Sequence, residues 1–371
     1  ALICAAFRSL GGPQEIVDNL AMQFGAAGHA VRVISNRDPA GPERTPRDQY
    51  ELVFLRIPER KPASWKHLER LLRHPRGTRE LKDFLGEWRP DIVDYHVTSW
   101  DHIPAVTHAC HTAGVPVIHS FHGIFARRQM GDRALAALAL ANGVVTVSAF
   151  TRRHLAALST AASNADVIIC GVDTEAARIA VPIRRERPYI FCAGRLSLAH
   201  KAIDVLLGAF AMVAKRHPEL DLLIAGDGPD RAQLERQADA AGLSASVRIL
   251  GTIAHDELFG FYKGAVLFAM PSRVPEGIPL VFLEAMASGA AVVGTRDGGT
   301  PEIVIDGETG VLIDRNEPAE LAAAILRLLD NPELRARMGR RAMELAALYG
   351  WPRVAQRYLE VYASRARSKL A

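Results

Sequence analysis

The chain is short of several things that would settle its class. Cysteine occurs 4 times in 371 residues, at Cys4, Cys110, Cys170 and Cys192, each in an apolar run and never as C-x-x-C. That pattern argues against a disulfide-stapled scaffold or a cysteine metal site and reads as reduced thiols inside a core. Charge of one sign is not in large excess either: 45 Lys and Arg against 41 Asp and Glu give a formal net charge of +4. A nucleic-acid binder would gather basic residues along one face, so no nucleic-acid partner is expected. No apolar run approaches the length of a membrane-spanning helix, and the longest candidate, 134–147, is broken by Asn142 and Gly143. Nothing resembles a signal peptide, so a cytoplasmic location is expected.

Apolar residues, by contrast, make up 49% of the chain. At this length that is material for two cores, and two domains are expected. Short β-rich runs alternate with helical patterns almost from end to end. In the first half L-I-C-A-A-F, V-R-V-I-S, L-V-F-L-R-I, D-I-V-D-Y, V-P-V-I-H-S and V-V-T-V-S read as strands. In the second half Y-I-F-C-A, L-D-L-L-I-A, V-R-I-L, A-V-L-F-A-M, A-A-V-V-G and G-V-L-I repeat the theme. Alternation of this kind means parallel strands joined by crossover helices. A Pro-rich, charged stretch without periodicity sets the boundary near residue 180. The expected domains are 1–180 and 181–350, with a last helix in 351–371 long enough to cross back to the first. The expected fold class is α/β: two facing doubly wound, Rossmann-like domains with ligands held in a cleft outside the carboxyl ends of the strands.

Chemistry-bearing residues gather where those strands should end. F-R-S-L-G-G-P-Q-E puts Gly11 and Gly12 before a helix, either as a tight turn or as a close approach to an anion. I-H-S-F-H-G places His119 inside a strand and His122 at its exit, as a ligand contact or a hydrogen-bonded loop histidine; His96 has a similar exit position. In C-A-G-R-L-S-L-A-H-K, Arg195 leaves the strand after Gly194 and Lys201 precedes the next helix. A planar fork and a point charge together suit a diphosphate. The later A-G-D-G-P-D lacks the third Gly of a dinucleotide fingerprint, so Gly226 and Gly228 read as a turn. In E-G-I-P-L-V-F-L-E, Pro279 suits the first position of a helix apolar on every face, which would bury Glu284. A buried carboxylate needs a partner, and Glu276 stands just outside the same helix. Gly277, Gly298, Gly299 and Thr300 offer backbone N–H groups nearby.

These pieces, in this order, resemble the large retaining glycosyltransferase family of the GT-B fold, the family 4-like "glycosyl transferases group 1". The resemblance rests on G-R-L with Lys201 following, on Glu276 and Glu284 with E-A-M-A-S-G, and on G-G-T-P-E-I-V with D-G-E-T-G beyond it. It covers nearly the whole chain and is tightest from Gly194 to Gly310. It implies that Arg195 and Lys201 hold the diphosphate of a nucleotide-sugar donor, UDP- or GDP-linked. It implies Glu284 on the ribose, Glu276 on the donor sugar, and N–H groups near Gly277, Ile278 and Leu280 on the phosphates and sugar. His122 would touch the sugar, Gly12 would let the first loop near the phosphates, and Thr252 would pass along the nucleobase. The usual Gly after the Lys is Ala202 here, the usual Asn before G-V-D is Cys170, and Gly277-Ile278-Pro279 replaces the commoner Gly-Phe pattern. That last departure leaves donor choice open.

The implied reaction keeps the anomeric configuration, through front-face substitution in which the leaving phosphate helps deprotonate the acceptor. No D-x-D occurs in the chain, so no metal and no cofactor is expected; fixed cations and a helix dipole take that role. Two rival readings stand beside it: a GT-B sugar-nucleotide epimerase, and a protein that only binds a sugar nucleotide. A phosphorylase-like variant is a third. The acceptor, a saccharide, lipid-linked saccharide or small molecule, is expected on the first domain, where 56–89 carries ten Lys and Arg against five Asp and Glu. With Trp65, Leu68, Leu71 and Leu72 that segment reads as a peripheral contact at the inner membrane face, as a solvated helix, or as a basic pocket.

Overall fold

The structure is a computed structural model that describes residues 2–3, 12–36, 48–55, 67–124, 130–314 and 317–367, except the side chains of residues 3, 36, 67–77 and 367. Gly11, Cys4, Trp65 and the 56–66 part of the basic segment lie outside the described residues, as do the side chains of Leu68, Leu71 and Leu72.

Two compact units divide the chain: 1–170 with 351–371, and 171–350. The first contains β1 (Leu2–Ile3), α1 (Gly12–Ala26), β2 (Arg32–Asn36), β3 (Glu51–Leu55), α2 (His67–Trp88), β4 (Val93–Val97) and α3 (Ile103–Ala113). It continues with β5 (Val117–Phe121), α4 (Asp132–Ala139), β6 (Gly143–Thr146), α5 (Ala149–Ala156) and β7 (Asp166–Val167). The second holds α6 (Thr174–Ile179), β8 (Tyr189–Ala193), α7 (Ile203–Ala214), β9 (Asp221–Ala225), α8 (Arg231–Ala240), β10 (Val247–Gly251) and α9 (His255–Gly264). Then come β11 (Leu267–Met270), α10 (Leu280–Ala287), β12 (Val292–Thr295), α11 (Thr300–Ile303), β13 (Gly310–Ile313), α12 (Pro318–Leu329) and α13 (Pro332–Ala346). The final helix, α14 (Trp351–Arg367), belongs with the first unit.

Both sheets are parallel, in the orders β3-β2-β1-β4-β5-β6-β7 and β10-β9-β8-β11-β12-β13. Every residue of β4, β5, β8 and β9 is buried, because crossover helices cover both faces of such a sheet. Each order reverses once, between β1 and β4 and between β8 and β11. The units part earlier than the expected boundary near 180, because 171–179 folds onto the second unit. There Lys263 Nζ donates to the carbonyls of Ala177 (3.2 Å) and Arg178 (2.7 Å), closing the carboxyl end of α6. β7, with only two residues, had no sequence counterpart.

In the first unit the i, i+2 rule of a strand sorts the polar residues onto two faces. On one, His119 meets Thr107 Oγ1 of α3 at 2.9 Å. On the other, Asp94 accepts from Ser120 Oγ (2.8 and 2.9 Å) and from Tyr362 OH of α14 (2.6 Å). Phe24 of α1 meets Tyr362 edge-on at 5.7 Å, so α14 is pinned to this unit by both a buried hydrogen bond and ring packing. Leu81 and Leu85 of α2 point into the same unit's core. Among the described residues no helix is long and apolar enough to cross a membrane.

Burial sets an acid limb on stability. It pushes the imidazoles of His96 and His119 down from 6.5 to about 3, and that of His122 well below 6.5. Below pH 6.5 the unfolded chain binds protons that the folded chain refuses, so each of the first two removes about 1.4 kcal/mol per pH unit on acidification. Asp94, raised by burial from 3.8 to about 6, binds its proton first in the folded state and offsets one histidine between pH 6 and 3.8. The thermal midpoint is expected to be level above about pH 7 and to fall below it, with His119→Gln showing a shallower fall. A wild-type midpoint unchanged from about pH 7 to 4.5 would count against this account.

Candidate functional site

The switch point of the second sheet assembles most of the expected residues. After β8 the chain turns at Gly194, whose N–H donates to the Ala225 carbonyl at 3.0 Å. A Cβ on Gly226, at φ +131°, would stand 2.0 Å from the Gly194 oxygen, so the ends of β8 and β9 approach as only glycine allows. Arg195 is then exposed and has no ion pair among the described residues. The next residues fold into a tight loop, with the Lys201 N–H donating to the Ser197 carbonyl at 2.7 Å.

That loop is strapped to the one after β11. Lys201 bridges to Ser272, the Ala202 N–H donates to the Pro271 carbonyl at 3.2 Å, and the Arg273 N–H donates to the His200 carbonyl at 2.8 Å. Arg273 locks the strap with two bonds to the Asp204 carboxylate, at 2.8 and 2.7 Å, which lowers the pKa of that carboxyl against the opposing effect of its burial. Neither Arg273 nor Asp204 was singled out from sequence, where Arg273 looks like one more surface cation. The result is direct contact between two residues 75 apart: Lys201 Nζ lies 2.5 Å from Glu276 Oε1, which also accepts from Ser272 Oγ at 3.1 Å. Glu276 Oε2 has no partner among the described residues.

The loop carrying Glu276 rests on the turn after β12. The Glu276 carbonyl accepts from the Gly299 N–H at 2.9 Å, and a Cβ on Gly299 would sit 1.7 Å from the Gly277 oxygen. Gly277, Ile278 and Pro279 are buried. Pro279 stands at the N-cap (φ −79°, ψ 107°) rather than at the first helical position; its carbonyl accepts from Phe282 N–H at 3.1 Å, a role open to a residue that has no N–H to give. The N–H groups of Gly277, Ile278 and Leu280 have no partner among the described residues, so the positive end of α10 is left open beside the Lys201 and Glu276 pair.

Glu284 is buried at 7% exposure. Its Oε2 accepts from Tyr262 OH of α9 at 2.8 Å, and His255 Nε2 lies 3.9 Å from Oε1. Burial and then the carboxylate's charge hold the Tyr262 phenol well above its ordinary value of 10, so it is a donor throughout the working range. Tyr262 reads in sequence as one more core aromatic in F-G-F-Y, which it also is, packed against Phe191 and Phe268. Thr252 is exposed just beyond β10.

The first unit contributes a separate cluster. His122 leaves β5, and its Nε2 is 2.8 Å from His96 Nδ1, with the rings parallel (3°) and centroids 5.0 Å apart. Gly12 is the exposed first residue of α1. Among the described residues no group of three or more His, Cys, Asp or Glu is arranged to hold a metal ion, and Cys110, Cys170 and Cys192 are buried and unpaired.

The family model for glycosyl transferases group 1 matches residues 173–345, and that for glycosyltransferase family 4 matches residues 10–176. The D-inositol 3-phosphate glycosyltransferase of Corynebacterium urealyticum is 36% identical over 198 residues, 52% of this chain and 46% of that protein. A GDP-mannose-dependent alpha-(1-6)-phosphatidylinositol monomannoside mannosyltransferase of Mycolicibacterium smegmatis is 34% identical over 214 residues, 54% of this chain and 56% of its own. The matches thus span about half the length of these relatives. Among solved structures, Anabaena Alr3699/HepE with UDP and glucose superposes with a TM-score of 0.79 at 19% identity, covering 98% of both chains. A sucrose-phosphate synthase of Thermosynechococcus elongatus gives 0.78 at 22%, again over 98% of both. At these identities the likeness shows the fold, GT-B.

The close approach at Gly299 makes a stability test of the site's frame. Gly299→Ala should cost about 2–3 kcal/mol in urea unfolding. Gly86→Ala, where a Cβ would meet nothing within 4 Å, should change stability by less than about 1 kcal/mol. Equal effects would refute the packing argument.

Proposed function

We propose that this family 4-like glycosyltransferase, matched over residues 173–345 by the family model for glycosyl transferases group 1 and over residues 10–176 by that for glycosyltransferase family 4, transfers a hexosyl group from a nucleoside diphosphate sugar to an acceptor hydroxyl, with retention and without a metal. The observation that carries this reading is the contact of Lys201 with Glu276 at the β8/β11 switch point, beside the open N–H groups of α10. Relatives named as GDP-mannose-dependent and neighbours solved with UDP or UDP-glucose support a nucleotide-sugar donor.

Each group then has a task. Arg195 and Lys201, the first without an ion pair and the second bonded only to Glu276 among the described residues, neutralise the diphosphate, and the start of α10 adds oriented dipoles. Lys201 also holds Glu276 Oε1, leaving Oε2 to accept from a sugar hydroxyl. Gly194 keeps the first phosphate loop close. Glu284, steadied by Tyr262, takes the ribose, and Thr252 borders the base. In the reaction the C1–O bond to the β-phosphate breaks and a bond from C1 to the acceptor oxygen forms on the same face. The acceptor's proton passes to the departing phosphate, so no outside base is consumed.

UDP- and GDP-sugars, screened by thermal shift and by donor hydrolysis, should separate into one nucleotide class that stabilises the chain and others that do not. Glu276→Ala should lower turnover by at least about a hundredfold while donor affinity changes only a few-fold; full turnover in that variant would sink its assignment. Turnover should persist in excess EDTA, and loss that Mg²⁺ or Mn²⁺ restores would overturn metal independence.

A further inference from the structure

Lys201 is claimed by two anions. Its Nζ lies 2.5 Å from Glu276 Oε1, the lysine side chain 14% and the glutamate 28% exposed, and Nζ has no other bond among the described residues. On the reading above, the same ammonium also meets a diphosphate. It has hydrogen bonds enough for both but a single positive charge to divide between them. Two negative groups that share it, largely out of water, repel each other more strongly than in bulk solvent.

The surroundings do not relieve that competition. Besides Lys201, Glu276 Oε1 accepts from Ser272 Oγ at 3.1 Å, a neutral donor. Asp297 lines one small cavity with Glu276, Ser272 and Thr300. Its Oδ1 accepts from the Gly298 N–H at 2.7 Å, and it has no ion pair among the described residues. Two carboxylates thus stand near one ammonium, all three in the second unit.

A sugar nucleotide and a free nucleoside diphosphate differ in what they bring to this point. In the first the β-phosphate is esterified, and a sugar hydroxyl that donates to Glu276 Oε2 steadies the carboxylate, which frees Lys201 to turn to phosphate. The second has no hydroxyl at that end. Its terminal phosphate ionises a second time near a pH of about 6, which adds a negative charge. Once the sugar has left, Glu276 has lost its hydroxyl partner and faces a more highly charged anion across the same lysine.

We propose that Glu276 competes with the product for Lys201, so that its charge loosens the hold on a free nucleoside diphosphate more than on the sugar nucleotide and thereby promotes product release. This rests on the reading that Lys201 meets the diphosphate of the donor.

Calorimetric titration of the full chain at about pH 8 without divalent metal, with UDP, GDP, UDP-glucose and GDP-mannose as probes, tests it. Glu276→Gln keeps the shape and an oxygen for Lys201 and Ser272 but removes the charge. It should bind UDP or GDP, whichever the wild type binds, about fivefold or more tightly, while the matching sugar nucleotide binds no more than about twofold more tightly. Asp297→Asn removes a charge from the same cavity lining, makes no bond to Lys201, and keeps an oxygen for the Gly298 N–H. It should tighten the nucleoside diphosphate by less than about twofold. In Glu276→Gln, a gain no larger than that of Asp297→Asn, or an equal gain for the sugar nucleotide, would overturn the proposal and leave the donor reading standing. Lys201→Met should bind the nucleoside diphosphate at least about tenfold more weakly than wild type. Unchanged binding in that variant, or binding of neither nucleotide to wild type and Glu276→Gln, would remove the donor reading and the proposal together.

Discussion

Neighbouring parallel strands whose crossovers leave in opposite directions cannot cover the ground between their carboxyl ends, and the second unit depends on that gap between β8 and β11. Its inner strands β8, β9, β11 and β12 are buried along their length and paired on both sides, so the chain there is free to place polar groups only where it leaves the sheet. At this gap two loops lie side by side, and an isolated antiparallel bridge between Lys201 and Ser272 joins them. The cation, the carboxylate and the open start of α10 are thereby set on a rigid frame. Glycines at 226 and 299 serve the same end, since each lets two backbones touch where a side chain would part them.

The pairing of Lys201 with Glu276 gives this frame a particular electrostatic state. A lysine left alone at the rim would be a mobile, hydrated charge; held at 2.5 Å from a carboxylate and 14% exposed, it is ordered before any anion arrives. The pair is close to neutral, so an anion arriving there meets the field of Arg195 and the α10 terminus first. Preorganised donors of this kind need no reorganisation when charge develops on a leaving group. The acidic partner keeps Oε2 without a partner among the described residues, so the two strapped loops together present a cation and a free carboxylate oxygen at one point.

Much of this was legible in the sequence. The order of strands and helices follows from apolar runs of strand length set between helical patterns, and the residues at strand exits follow from that order. The contacts were not legible. Glu284 was seen to require a partner, but Tyr262 OH as that partner depends on how α9 packs on α10, which no spacing encodes. Arg273 and Asp204 belong to different crossovers, and their bidentate bond exists only because the two loops are strapped together. β7 is too short to leave a pattern. Asp94 and His96 did carry a readable signal, two polar residues at i and i+2 of a strand buried on both faces; only the parallel register of β4 with β5 adds Ser120 to the same face.

That face also explains why a long terminal helix returns to the first unit. Asp94 is a charge inside a sheet, a costly placement unless hydrogen bonds surround it. Ser120 supplies one donor from the neighbouring strand, but a strand can reach only one side of the carboxylate. The other donor, Tyr362, comes from residues at the far end of the chain, 268 positions away. The docking of α14 is therefore coupled to the ionisation of Asp94. Hydrophobic packing alone, such as Phe24 on Tyr362, would hold the helix yet leave the carboxylate short of a donor. The phenol makes the helix part of the polar network that keeps Asp94 satisfied inside the sheet.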